Sequence, residues 1–374
     1  MKLVEHVPEY IRSLIPYEPG KPIEEVEREF GISGSVKLAS NENPLGPSPR
    51  ALAALRERLP ELHLYPDGDC FYLKRALAQK LGVEPDRLIF GNGSNEIIEL
   101  AVRTFMRPGN EAVMAEQAFV VYELIVQAVG GKRTTVPLKN FTHDLAAIAD
   151  AVTPQTRLVF LANPNNPTGT IYRRREWETF LERISPDILV IVDEAYFEYV
   201  GEADYPNSLD YHAHHPAILT LRTFSKLYGL AGLRIGYGIG AKDVIALMHR
   251  VRQPFNVNAP AQWAALAALA DTEHVQRSLE TNQQGMKYLQ AEFARLGLSY
   301  VPSAANFILV RVGNGSAVFQ RLLEQGVIVR PMMGYKFPDH VRVTVGTMAE
   351  NQKLIGALER LLEGYSTDLA TVQS

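Results

Sequence analysis

Only one of the 374 residues is a cysteine, Cys70, so no disulfide can form within the chain and a reducing compartment fits best. No stretch approaches the roughly 18 apolar residues of a membrane-spanning helix. The opening MKLVEHVPEYIRSLIPYEPGKP carries charges throughout, unlike a signal peptide. There is no basic surplus: 38 Lys and Arg face 42 Asp and Glu, a formal net charge of −4, which argues against a nucleic-acid surface. Glycine (27) and proline (23) are too few for a collagen-like or disordered chain, and no repeat or low-complexity segment is present. What remains is ordinary globular material, 46% hydrophobic and 21% charged. It is long enough for a large core and, at roughly 150 residues per domain, for two or three domains. These absences predict a soluble, cytoplasmic protein that binds neither membrane nor nucleic acid.

The first thirty or so residues, with Pro8, Pro16, Pro19 and Pro22, read as an arm. Beyond Asp86, apolar runs alternate with helical patterns: LIF (88–90), a helix over 94–107, EAVMAE (111–116), a helix over 119–129, RLVFLA (157–162), a helix over 174–184, ILVIVDE (188–194) and AILTLRT (217–223). This rhythm predicts βαβ units, and the continuous apolar strands predict a mostly parallel sheet covered by helices on both faces. Past Arg250 the rhythm changes. Helix formers fill 259–297 with a break at Asp271-Thr272, followed by ANFILVRV (305–312), a helix over 316–325, VIVRP (327–331), VRVTVG (341–346), a helix over 349–362 and a frayed tail from Gly364. The reading is an α/β protein with an arm (1–34), a large domain (35–255) and a smaller α+β domain (256–374), against which the N-terminal segment can pack.

Four segments carry chemistry. Thr223-Phe-Ser225-Lys226 follows a buried strand, and a lysine there suits a Schiff base if burial and a nearby cation such as Arg234 lower its pKa. Asp193 ends the apolar run VIVD at a strand's carboxyl end, where crevices form in open α/β sheets, and Tyr196 follows three residues later. Asn163-Pro-Asn-Asn166-Pro-Thr-Gly offers uncharged polar groups after another strand. Gly91-Asn-Gly93-Ser94-Asn95 opens a helix whose free N–H groups suit a phosphate, without the GK[ST] of a nucleotide-binding loop. Taken singly, each also fits a plainer role: a surface lysine, a capping aspartate, a tight turn, a capped helix.

Their joint order is specific. It resembles that of pyridoxal-phosphate enzymes of the aspartate aminotransferase fold type. At finer grain IPYEPGKPIEEVEREFG, VKLASNENPLGPSP, LYPDGD, FGNGSNEIIEL, NPNNPTG, VDEAY, RTFSKLYGLAGLRIGY, GVIVRP and VRVTVGT are similar to the histidinol-phosphate aminotransferase family, over nearly the whole chain. The resemblance implies that Lys226 carries the cofactor as a Schiff base and moves the substrate proton, that Asp193 pairs with the pyridine nitrogen, and that Asn166 and Tyr196 hold the ring's O3′. It implies a phosphate cup of Ser94, Asn95, Thr223, Ser225 and Arg234, and a homodimer in which Tyr65 reaches the neighbouring cofactor. Phe119 falls where a ring-stacking tyrosine is usual, which keeps the stacking and loses the hydroxyl. Tyr122, one helical turn on, reads as core.

For the substrates, histidinol phosphate and 2-oxoglutarate or glutamate, the resemblance implies an anion clamp at Arg342, joined by Arg330 and Tyr17, with Asn43 lining the mouth. Three alternatives stay open: an aromatic amino-acid aminotransferase, a phosphothreonine-type decarboxylase, and a non-catalytic regulator. The ~40 residues before SNENPLG are too few for the regulator's DNA-binding module. Gly236-Tyr-Gly238-Ile-Gly240 lacks dinucleotide-motif spacing and reads as a strand passing close to other backbone. His212, His214 and His215 lack metal-site spacing, and Cys70 reads as inert.

Overall fold

The computed structural model describes residues 2–17 and 19–372. Its centre is a seven-stranded sheet of β1 (Leu88–Gly91), β2 (Glu111–Ala115), β3 (Lys132–Val136), β4 (Thr156–Ala162), β5 (Leu189–Asp193), β6 (Ile218–Thr223) and β7 (Gly236–Ile239). The spatial order is β1-β7-β6-β5-β4-β2-β3. Every pairing among β2 to β6 is parallel, and only β7 runs against its neighbours. Within β4, Leu158 and Phe160 enter one hydrophobic cluster while Val159 and Leu161 enter another. Ile191 and its neighbours Val190 and Val192 divide in the same way along β5. The uninterrupted apolar runs therefore feed two cores, as a sheet covered on both faces requires. Ile97, Val102 and Tyr122 cover one face, and Trp177, Phe180 and Leu181 the other.

Residues 236–240 do pass close to other backbone. A Cβ on Gly236 would lie 2.5 Å from the amide nitrogen of Ser94, so this position must be glycine for the helix Ser94–Phe105 to start where it does. Strand β3 was not anticipated. Its sequence KRTTV is polar because it lies at the sheet edge, where four of its five residues are not buried.

The second body holds a four-stranded antiparallel sheet in the order Arg330–Pro331, His340–Thr344, Phe307–Arg311, Tyr300–Val301. Met286, Leu289, Phe293, Leu322 and Leu354 pack against it. The expected single strand 327–331 is split. Val327–Ile328 pairs in parallel with Val36–Lys37, while Arg330–Pro331 joins the larger sheet. The break at Asp271 falls as expected, between helices Ala259–Leu269 and Thr272–Arg295, with the Asp271 side chain capping the second. Ala261, Ala264, Ala265 and Ala268 nevertheless pack with Leu73, Leu77 and Phe224 of the larger body. The arm is partly folded: Ile23–Phe30 is a helix whose Val26 is buried with Ala39, Leu323 and Ile328. The last helix runs Met348–Val372, so the backbone expected to fray from Gly364 continues helical.

Candidate active site

Strands β1, β4, β5 and β6 share one direction, so Gly91, Ala162, Asp193 and Thr223 end on one edge of the sheet. The loops after them line a cavity of about 200 Å³. Lys226, Asp193, Tyr196, Asn166, Phe119, Thr223, Ser225, Arg234, Ser94 and Asn95 all face it, as do Tyr17, Arg330 and Arg342 from the arm and the smaller sheet.

Lys226 follows β6 on a tight loop in which Thr223 Oγ1 accepts from the Ser225 amide at 3.0 Å. Its Nζ donates to the Ser40 carbonyl at 3.0 Å. Burial, then the Arg342 guanidinium and more weakly Arg234, push its pKa down to about 8. The main cation is thus Arg342, not the sequence neighbour Arg234. The folded value lies below the unfolded one, so the cost of the desolvated ammonium is fully felt below about pH 8. Stability recovers as pH rises from there to the ordinary lysine value. One expected outcome is that the rate at which the empty protein captures an aldehyde rises about tenfold per pH unit up to about pH 8 and then levels, followed by absorbance. A rate independent of pH across that range would contradict it.

Asp193 ends β5 and is buried. Its Oδ1 accepts from the Ala195 amide at 3.1 Å and its Oδ2 from the Tyr122 hydroxyl at 2.7 Å. Burial raises the carboxyl above its usual range, and those two hydrogen bonds and Lys226 oppose the rise. Tyr122 is core, as expected, stacked on Phe160 at 4.9 Å, but its hydroxyl also reaches the site. The Tyr196 hydroxyl accepts from Asn41 Nδ2 at 2.8 Å, which leaves its own proton for a ligand.

A cup at the start of the helix Ser94–Phe105 is shaped by Gly93, φ +78°, whose missing Cβ would meet Arg234 Nη2 at 2.7 Å. Only a glycine lets that guanidinium lie beside the N–H groups of Ser94 and Asn95. Such a cup, a buried carboxylate and a lysine poised near neutrality fit pyridoxal phosphate: phosphate, ring nitrogen and aldehyde each meet a group of the right charge.

Arg342 donates to the Ala39 carbonyl at 2.8 Å and to Asn166 Oδ1, and lies 5.2 Å over the Phe307 ring. Its Nε is buried with no partner, which leaves one guanidinium donor for an anion. Arg330 is its direct cross-strand partner and lies 5.5 Å over Tyr17. Like charges opposite each other destabilise a sheet, and a bound anion offsets this.

One expected residue lies elsewhere. Asn43 does not line the mouth. Its amide donates to the Leu227 carbonyl at 2.6 Å and to Ser278 Oγ at 2.9 Å, bracing the lysine loop from behind, and Asn41 takes the place in the cavity. Asn41 adopts a left-handed φ of 55°, which reverses the side-chain alternation. Tyr65 is 83% exposed, stacked on Phe255 outside the cavity. Tyr335, also facing the cavity, gave no motif in the sequence.

His212 is buried, neutral and structural. It accepts from Arg87 at 2.8 Å, contacts Thr220 Oγ1 at 2.9 Å, and burial pushes its pKa down to about 3. Burial pushes the Cys70 thiol up to about 12, which suppresses its reactivity. Among the described residues no group of three His, Cys, Asp or Glu is placed to hold a metal, and no helix is long and apolar enough to cross a membrane.

Comparison with known proteins agrees with this geometry. The chain is 52% identical over 356 residues to histidinol-phosphate aminotransferase 1 of Nitrosococcus oceani, covering 95% of this chain and 96% of that one. It is 52% identical to the histidinol-phosphate aminotransferase of Moorella thermoacetica, covering 95% and 92%. The crystal structure of the Sinorhizobium meliloti histidinol-phosphate aminotransferase, in complex with pyridoxal 5′-phosphate, superposes with a TM-score of 0.89 at 28% identity, covering 96% of this chain and 98% of that one. The profile of aminotransferase class I and II matches residues 33–358. With the family model spanning most of the chain and relatives at about half identity over nearly all of it, the chain belongs to the class I and II aminotransferase family.

Proposed function

We propose that this aminotransferase moves the amino group of L-histidinol phosphate to 2-oxoglutarate, giving imidazole acetol phosphate and L-glutamate in histidine biosynthesis. The observation that carries the substrate assignment is the facing pair Arg330 and Arg342, with a buried, unpartnered Nε on the latter. Two guanidiniums suit a phosphate dianion, and Arg342 alone suits the α-carboxylate of glutamate, so one site serves both half-reactions.

Pyridoxal 5′-phosphate supplies the aldehyde that takes up the amino group and a pyridine ring that accepts electron density from the substrate's Cα–H bond. The amides of Ser94 and Asn95, the hydroxyls of Thr223 and Ser225, and Arg234 would hold its phosphate. Phe119 would stack on its ring, Asp193 would pair with its nitrogen, and Asn166 and Tyr196 would hydrogen-bond O3′. Lys226 Nζ, near neutrality, takes the Cα proton and returns it one carbon away. Arg342 and Arg330 orient the substrate so that its Cα–H bond meets Lys226.

Both bounds of the larger body shift: Val36–Lys37 pairs with Val327–Ile328 and Leu38 and Ala39 pack with the smaller body, while Ala259–Leu269 packs with the larger one, which then runs from about 40 to about 270. The working form is a cytoplasmic homodimer. Exposed Leu62, Leu64, Tyr65, Tyr72 and Phe255 make an apolar surface for a second copy, with Tyr65 extended toward the partner's phosphate cup. Tyr65→Ala is expected to weaken cofactor affinity roughly tenfold while sedimentation still shows a dimer; unchanged affinity would remove Tyr65 from the site.

The test of function is a single half-reaction. Cofactor-loaded protein is mixed separately with L-histidinol phosphate, L-phenylalanine and O-phospho-L-threonine, and conversion to the pyridoxamine form is timed by absorbance. Fast conversion with histidinol phosphate alone is expected. Preference for phenylalanine would move the enzyme to aromatic metabolism, and carbon dioxide release from phosphothreonine would make it a decarboxylase.

A further inference from the structure

The aromatic residue over the cofactor position is Phe119, which has no hydroxyl. The phenol nearest in sequence belongs to Tyr122, in the first turn of the helix Val121–Ala128, and it is turned away from the ring face toward Asp193 Oδ2 at 2.7 Å. The two rings meet edge to face at 5.6 Å, and Tyr122 is clamped from its other side by Phe160, nearly parallel at 4.9 Å. Tyr122 is 1% exposed, so its rotamer is set by packing.

We propose that Tyr122 is a positioning residue of this aminotransferase: its hydroxyl, donated to Asp193 Oδ2, fixes the plane of that carboxylate and keeps it anionic toward the ring nitrogen of pyridoxal phosphate. The inference rests on the role given to Asp193 above. Two donors, Ala195 N–H on Oδ1 and Tyr122 O–H on Oδ2, hold the carboxylate at both ends. Either alone would let the group swing about its χ2 bond, which is soft for aspartate. The remaining lone pairs are then confined to one direction. Burial favours the neutral acid at this position, and the Tyr122 bond opposes it. Remove the hydroxyl and the proton shared between the carboxylate and the ring nitrogen moves toward the carboxylate. The ring then becomes a neutral pyridine and a poorer electron acceptor, while the phosphate cup, Lys226 and the arginines are untouched.

The test uses the full-length holoenzyme loaded with pyridoxal phosphate labelled with ¹⁵N in the ring. In the wild type the ring nitrogen is expected in its protonated range from about pH 6 to about pH 8.5. In Tyr122→Phe it is expected to shift toward neutral pyridine and to titrate within that window. The single-turnover rate should fall about 10- to 100-fold, the size of one hydrogen bond to a charged group. Cofactor affinity and the apoenzyme melting temperature should stay near wild type, because the ring on Phe160 is kept. Should the phenylalanine variant fail to fold, Tyr122→Met, which also lacks a donor, takes its place in the same measurement. A ring nitrogen that stays protonated in the donor-less variant but loses its proton in Asp193→Asn would overturn the proposal for Tyr122 alone. A neutral ring nitrogen in the wild type would overturn the role of Asp193 and that of Tyr122 together.

Discussion

Replacing Lys226 with alanine is expected to lower turnover by roughly 10⁴-fold or more, the loss of both the amine that captures the aldehyde and the base that moves the Cα proton. No other amine can substitute. The cations that face the cavity are Arg234, Arg330 and Arg342, and guanidiniums stay protonated at any working pH. The phosphate cup proposed around Gly93, Ser94 and Arg234 does not involve the lysine, so the variant is expected to bind pyridoxal phosphate still. The bound cofactor should keep the spectrum of a free aldehyde and lose it on borohydride treatment without labelling the protein. Turnover close to wild type in steady-state assays would overturn the cofactor assignment and everything built on it.

The second large effect separates the two arginines. Arg342→Gln leaves the Ala39 carbonyl and Asn166 without their buried donor and removes the clamp proposed for both half-reactions. A loss of about 30-fold or more in kcat/KM is expected with histidinol phosphate and with glutamate alike. Arg330→Gln acts at the rim, where Tyr17 lies over the guanidinium. It should raise KM for histidinol phosphate about tenfold, with little change for glutamate, because only the dianion needs both charges. Comparing kcat/KM for the two donors in each variant decides the matter. If Arg330→Gln weakens glutamate as much as histidinol phosphate, the shared-anion reading fails.

How much of this was legible in the sequence follows from the physics of each residue. Strands β4 and β5 announced themselves because both of their faces are buried, which forces uninterrupted apolar runs. The polar edge strand β3 did not, since half-solvated backbone places no such demand on side chains. Lys226, Asp193 and the glycine-rich cup sit where backbone geometry and charge are both constrained, so their motifs are dense. Asn41 and Asn43 differ only in how the backbone turns between them, and a left-handed φ at Asn41 leaves no one-dimensional mark. Tyr122 was read correctly as core, but a helical period says nothing about where a buried phenol sends its proton. The helix Ala259–Leu269 carries alanines on every side, so its sequence could not say which body it packs against.

The pairing of Val36–Lys37 with Val327–Ile328 has a consequence for how the protein is made. The two segments are separated by roughly 290 residues, so at about 5–20 residues per second the first waits on the order of 15–60 s for its partner to leave the ribosome. During that interval Val26, Leu38 and Ala39, which end in the cores of the second body, have nothing to pack against. The larger sheet, complete by Ile239, can form in the meantime. Order of synthesis thus allows the sheet that positions Lys226 to form before the partner strand of the arm, and Arg330 and Arg342 with it, has been made.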